Sequence, residues 1–110
     1  MSIKEEYPKL VREQQAVSPE LPDWDKTQPF TQAIELLGEN AQETIDFILN
    51  DCTSEQLLWM SVIAVEVATR LRTRKFTDAL KVVAERYSAE LAGYNVNECI
   101  KDAEAALADI

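Results

Sequence analysis

The stretch "TSEQLLWMSVIAVEVATRL", residues 53 to 71, decides the fold. Thr53 or Ser54 can cap it, and Gln56 stands three residues after Thr53, the spacing of a capping box. Beyond Glu55 its only charges are Glu66 and Arg70. They are four apart, in the order that favours an intrahelical pair along one exposed strip. Leu58, Val62 and Val65, and also Met60, Ala64, Val67 and Leu71, are left to face neighbours. A helix so nearly apolar all round is buried among others. The stretch therefore predicts a central helix over 54–71 with the rest of the chain packed about it.

Downstream lies "ATRLRTRKF", residues 68 to 76, with Arg70, Arg72, Arg74 and Lys75, four of the eleven basic residues. As structure it is a turn. Arg70 and Arg72 stand in a C-terminal turn, where positive charge offsets unsatisfied carbonyls, and Thr73 caps the next helix. As function, the four cations are open to an acidic patch on a partner or on a second copy, or to phosphate in the manner of a helix-turn-helix. The strongly acidic segment just before them argues against nucleic acid. "FTDALKVVAERYSAEL" then places Phe76, Ala79, Leu80, Val83, Tyr87 and Leu91 on one stripe, predicting a helix over 74–91 that Gly93 terminates. Asn95 and Glu98 have capping-box spacing before a helix over 96–108 with stripe Val96, Cys99, Ile100, Ala103 and Leu107.

Upstream, "PFTQAIELLG" puts Phe30, Ala33, Ile34 and Leu37 on one helical face and ends at Gly38, predicting a helix over 30–37. Asn40 and Glu43 are spaced as another capping box, opening a helix over 41–50 with stripe Ala41, Ile45, Ile48 and Leu49. Gly38 and Asn40 mark a corner between these helices. A continuous helix through Gly38 is the rival, because the stripe stays in phase across it. Residues 1–29 carry Pro8, Pro19, Pro22 and Pro29. Proline lacks an amide donor and restricts the residue before it, so this segment is expected to be an arm laid on the body, with at most a short helix near Pro8–Gln15 and Trp24 as anchor. The expected fold is an all-α single domain: an N-terminal proline-containing arm over 1–29, then a helical domain over 30–110 built as a five-helix array of antiparallel helical hairpins.

Composition agrees. A chain of 110 residues with two glycines and four prolines fits one helical domain and opposes a loop-rich β fold. It has no histidine, and its two cysteines, Cys52 and Cys99, form no CxxC, so zinc and redox motifs are missing and both thiols are expected to be reduced and buried. The N-terminus has no apolar signal region and no run approaches the ~20 residues of a membrane span, so a cytoplasmic protein without a membrane partner is expected. Without histidine, the common acid–base and nucleophile–base pairs cannot be assembled. Glu35 with Glu39, Glu39 with Glu43, and Glu43 with Asp46 have helical neighbour spacing, but such pairs are ordinary on solvated faces, and neither a metal nor a cofactor is expected.

The formal net charge is -9, and residues 13 to 69 account for the excess, with eleven acidic residues against one basic. Such a block repels nucleic acid and acidic lipid and steers a basic partner toward itself. The whole order of elements, from the "AIELLGEN" corner through "ETIDFI", the "SEQLLW" helix opening and the basic turn to "FTDAL", resembles the small acidic helical immunity proteins of bacterial contact-dependent growth inhibition and related polymorphic toxin systems. The resemblance covers roughly Phe30 to Tyr87. It implies a non-catalytic protein that binds and neutralises a cognate toxin, one whose cationic site for phosphates is occupied or flanked by carboxylates. The expected partner-binding residues are Glu35, Glu39, Glu43 and Asp46, with Asp23, Trp24 and Asp25 as a second cluster; Trp59 or Trp24 would be the aromatic anchor unless each belongs to the core. An adaptor binding a basic host protein and a homodimer joining basic turn to acidic face are the alternatives.

Overall fold

A computed structural model describes residues 3–17 and 28–108. Regular structure among them is entirely α-helical: α1 (Ile3–Val17), α2 (Gln28–Leu37), α3 (Ala41–Asn50), α4 (Ser54–Val62), α5 (Ala64–Leu71), α6 (Arg74–Arg86), α7 (Ser88–Leu91) and α8 (Val96–Ala106). The all-α class stands, but five helices become eight. The largest packing interfaces join α5 to α8 and α3 to α6, pairs distant in sequence, so the molecule is not an array of consecutive hairpins.

The first correction concerns the N-terminal segment. Residues 3–17 form a helix of the body, longer than the short one expected near Pro8–Gln15. Ile3, Tyr7, Leu10, Val11 and Gln14 repeat at helical spacing and are all buried. Pro8 lies inside this helix. A proline there removes a hydrogen bond and costs on the order of 3 kcal/mol, while burial of each large apolar side chain contributes about 1.5–3 kcal/mol, so four such residues outweigh it. Residues 18–27, which hold the rest of the expected arm, lie outside the described residues.

The predicted central helix is broken at Ile63, whose backbone (φ -108°, ψ 14°) leaves the helical region and whose amide bonds to Met60 O at 3.1 Å, three residues back. Neither proline nor glycine is present. Val62, Ile63 and Val65 are β-branched and crowd a helix, and the Ser61 hydroxyl donates to Leu58 O at 2.6 Å. The break turns α5 so that Val62 and Val65 are 40% and 37% exposed rather than packed. Met60, Ala64 and Val67 are buried as expected. Glu66 and Arg70 form no ion pair. The helix expected over 74–91 is likewise interrupted, at Tyr87, whose hydroxyl donates to Cys52 O at 3.0 Å.

Caps follow the sequence unevenly. Thr53 and Gln56 close a full capping box on α4. Thr73 accepts from Lys75 N to cap α6. Asn40 accepts from Glu43 N, but the Glu43 side chain does not return to Asn40. Asn95 makes no side-chain cap at all. On α3 the buried residues are Thr44, Phe47 and Ile48, with Ile45 and Leu49 half-buried, one position off the predicted stripe.

Two tyrosines fasten the α3–α4 connection and the first turn of α4. Tyr7, fully buried, donates to Gln56 O at 2.8 Å and meets Phe47 edge-on with ring centroids 5.7 Å apart. Tyr87 holds Cys52 O from the other side, and Arg86 donates to Leu49 O at 3.1 Å. The segment from the end of α3 to the first turn of α4 is thereby tied to α1 and to the end of α6.

Candidate functional site: an acidic corner between α2 and α3

The turn from α2 to α3 is made by Gly38, Glu39 and Asn40. Gly38 is there for space rather than for a special φ. A Cβ on it would stand 2.7 Å from Arg70 Cδ and 3.0 Å from Arg70 Cβ, so the Arg70 stem crosses the bare backbone. This contact seats the corner on the last turn of α5. The rival continuous helix through Gly38 is not formed.

Glu39, Asn40 and Glu43 line a concavity of about 380 Å³ together with Ile3 and Leu36. Two carboxylates thus stand in a mostly polar concavity, since Ile3 is 2% exposed and offers little accessible carbon. Glu43 is also a structural group: its Oε1 accepts a hydrogen bond from the Ile3 amide at 3.1 Å, satisfying an otherwise orphan donor at the start of α1. Its place in the first turn of α3 is favourable to the helix dipole as well. Glu35 is exposed in the last turn of α2. Asp46 is exposed one turn beyond Glu43 and accepts from Gln42 Nε2 at 2.9 Å.

Four of the predicted binding residues are therefore exposed in sequence along one corner, Glu35 on α2, Glu39 in the turn and Glu43 and Asp46 on α3, and Glu39 and Glu43 share one concavity. Asp23, Trp24 and Asp25 lie outside the described residues. Trp59 is 3% exposed and belongs to the core, so it is not a surface anchor. Ile3 and Leu36 were missed. Their role follows from α1 docking at this corner, and the prolines that mark residues 1–29 conceal that helix.

Chemically the corner presents carboxylate and amide acceptors with little exposed carbon. That arrangement suits a lysine or arginine, whose cation can meet Glu39 and Glu43. Among the described residues no group of three or more His, Cys, Asp or Glu side chains is arranged to hold a metal ion. No helix among them is long and apolar enough to cross a membrane.

The cysteines are both free thiols, Cys52 buried and Cys99 half-buried. Burial pushes the Cys52 thiol up to about 12. Burial also raises Cys99, joined by the charges of Asp102 and Glu98, while a hydrogen bond with Ser61 pulls the other way. Neither environment stabilises the thiolate that nucleophilic chemistry requires.

No family model, curated protein or solved structure matches the chain.

Proposed function

We propose that this protein is an immunity protein: it binds a cognate toxin at the acidic α2–α3 corner and neutralises it in a stoichiometric complex, without chemistry. The toxin is a nuclease or another enzyme with a cationic site. The observation that carries the reading is the placement of Glu39 and Glu43 at one concavity, with Glu35 and Asp46 exposed on the adjoining turns. These residues belong to the segment that holds the chain's whole negative excess. A carboxylate array of that kind matches a surface built for phosphates, and its summed charge accelerates encounter with a basic partner.

The test is co-purification of the tagged protein from its native host, followed by identification of what it retains. The proposal expects a protein encoded beside it whose expression kills cells that lack this chain. Retention of a basic host transcription or metabolic protein instead would make the chain an adaptor and overturn the immunity reading.

A further inference from the structure

Arg70, Arg72, Arg74 and Lys75 are all exposed, and none is in an ion pair among the described residues. Local structure accounts for only part of this basic corner between α5 and α6. Arg70 stands in the last turn of α5, where a cation is favourable, and its stem covers Gly38. Arg72 adopts a left-handed backbone (φ 54°), a conformation uncommon outside glycine and asparagine. Arg74 and Lys75 occupy the first turn of α6, which has no acidic residue. There the helix dipole is positive and disfavours them. Glu35 shows the mirror-image misplacement: it is an acid in the last turn of α2, which has no basic residue.

These two corners are neighbours. The Arg70–Gly38 contact sets the α5–α6 turn against the α2–α3 turn, and α2 packs on α5 while α3 packs on α6. An acidic corner and a basic corner thus lie side by side, each carrying charges that its own helix ends disfavour. A surface with adjacent patches of opposite sign is self-complementary under a two-fold axis, because each patch meets its opposite on the other copy.

We infer that the protein forms a two-fold symmetric homodimer in which Arg74 and Lys75 of each copy face Glu35 and Glu39 of the other. The net charge of -9 opposes association of two copies. At physiological ionic strength, however, charges farther apart than about 8 Å are largely screened, so the apposed corners outweigh the distant repulsion. The dimer is accordingly weak, and it hides Glu39 from any other ligand. A toxin that binds the acidic corner therefore competes with the second copy. The inference itself does not depend on what that toxin is, since the purified chain alone tests it.

Sedimentation equilibrium at physiological ionic strength, across a wide range of protein concentration, reads the dimer directly. Arg74→Glu with Lys75→Glu should raise the dimer dissociation constant at least about tenfold, and Glu35→Lys with Glu39→Lys should do the same. An equimolar mixture of the two charge-reversed variants should set opposite charges face to face at both reciprocal contacts and form a heterodimer. Helical spectra of each variant verify folding, and the milder Arg74→Gln with Lys75→Gln serves if charge reversal unfolds the chain. A wild-type chain that remains monomeric throughout the range would overturn the inference. So would a dimer that all these substitutions leave unchanged.

Discussion

The Glu43 carboxylate accepts the Ile3 backbone amide at 3.1 Å, across forty residues of sequence, and so joins the acidic corner to the start of α1. One of the four exposed acids is therefore part of the scaffold. Glu43→Ala should lower unfolding free energy by about 1–2 kcal/mol, whereas Glu39→Ala, which removes no recorded bond, should stay within about 0.5 kcal/mol. Urea denaturation of the two variants checks the contrast. Equal effects would show that the Ile3 contact contributes nothing.

Gly38→Ala should be destabilising by about 1–3 kcal/mol, because its new Cβ would meet Arg70 Cδ at 2.7 Å and Ile34 O at 2.8 Å. The arginine can move and the carbonyl cannot. Arg70→Ala in the same chain should thus recover part of the loss, and a double-mutant cycle measures how much.

Tyr7→Phe removes the hydroxyl that donates to Gln56 O at 2.8 Å, a carbonyl in the first turn of α4 that helix geometry also gives to the Met60 amide. The expected cost is about 0.5–1.5 kcal/mol. Tyr87→Phe, which releases Cys52 O from a half-buried ring, should cost less. Thermal unfolding of both variants ranks them, and the reverse order would contradict this account of the connection.

Alkaline pH should destabilise the fold. Burial raises the Cys52 thiol from its ordinary value near 9 to about 12, and it raises the Tyr7 phenol well above 10, with Cys52 adding to the effect. A group whose folded value is raised stays protonated in the native state while the unfolded chain loses its proton. Stability is thus full below pH 9 and falls as pH climbs from 9 toward 12, by up to roughly 1.4 kcal/mol per pH unit for each such group. Cys52→Val should flatten the first part of that fall in denaturation measured between pH 8 and 11.

Helical class and most of the core were legible because 3.6-residue stripes record burial directly: Ala33, Ile34, Leu37, Phe76, Leu80, Val83, Ile100 and Leu107 are all in the core. Thr53 and Thr73 gave correct helix starts for the same reason, since each cap is a local interaction. The breaks at Ile63 and Tyr87 were illegible. They have no glycine or proline, and they depend on packing and on a hydroxyl reaching Cys52 from thirty-five residues away. α1 was hidden because Pro8 is a local penalty, whereas the burial that offsets it is tertiary. Of the site, exposed Glu35, Glu39, Glu43 and Asp46 could be chosen from charge alone. The concavity that Ile3 and Leu36 help to line could not, because it exists only once α1 docks.

The central claim is that the acidic corner makes the contact with the toxin, and association kinetics test it most directly. Glu39→Lys with Asp46→Lys is the informative variant, since it reverses two exposed charges and spares the Glu43–Ile3 bond. With the co-purified partner in hand, the wild-type association rate should fall steeply as salt is added. The variant should associate at least about tenfold more slowly and with a shallower salt dependence, because steering follows summed charge. An association rate and salt dependence identical to those of the wild type would contradict the claim and place the contact elsewhere on the molecule.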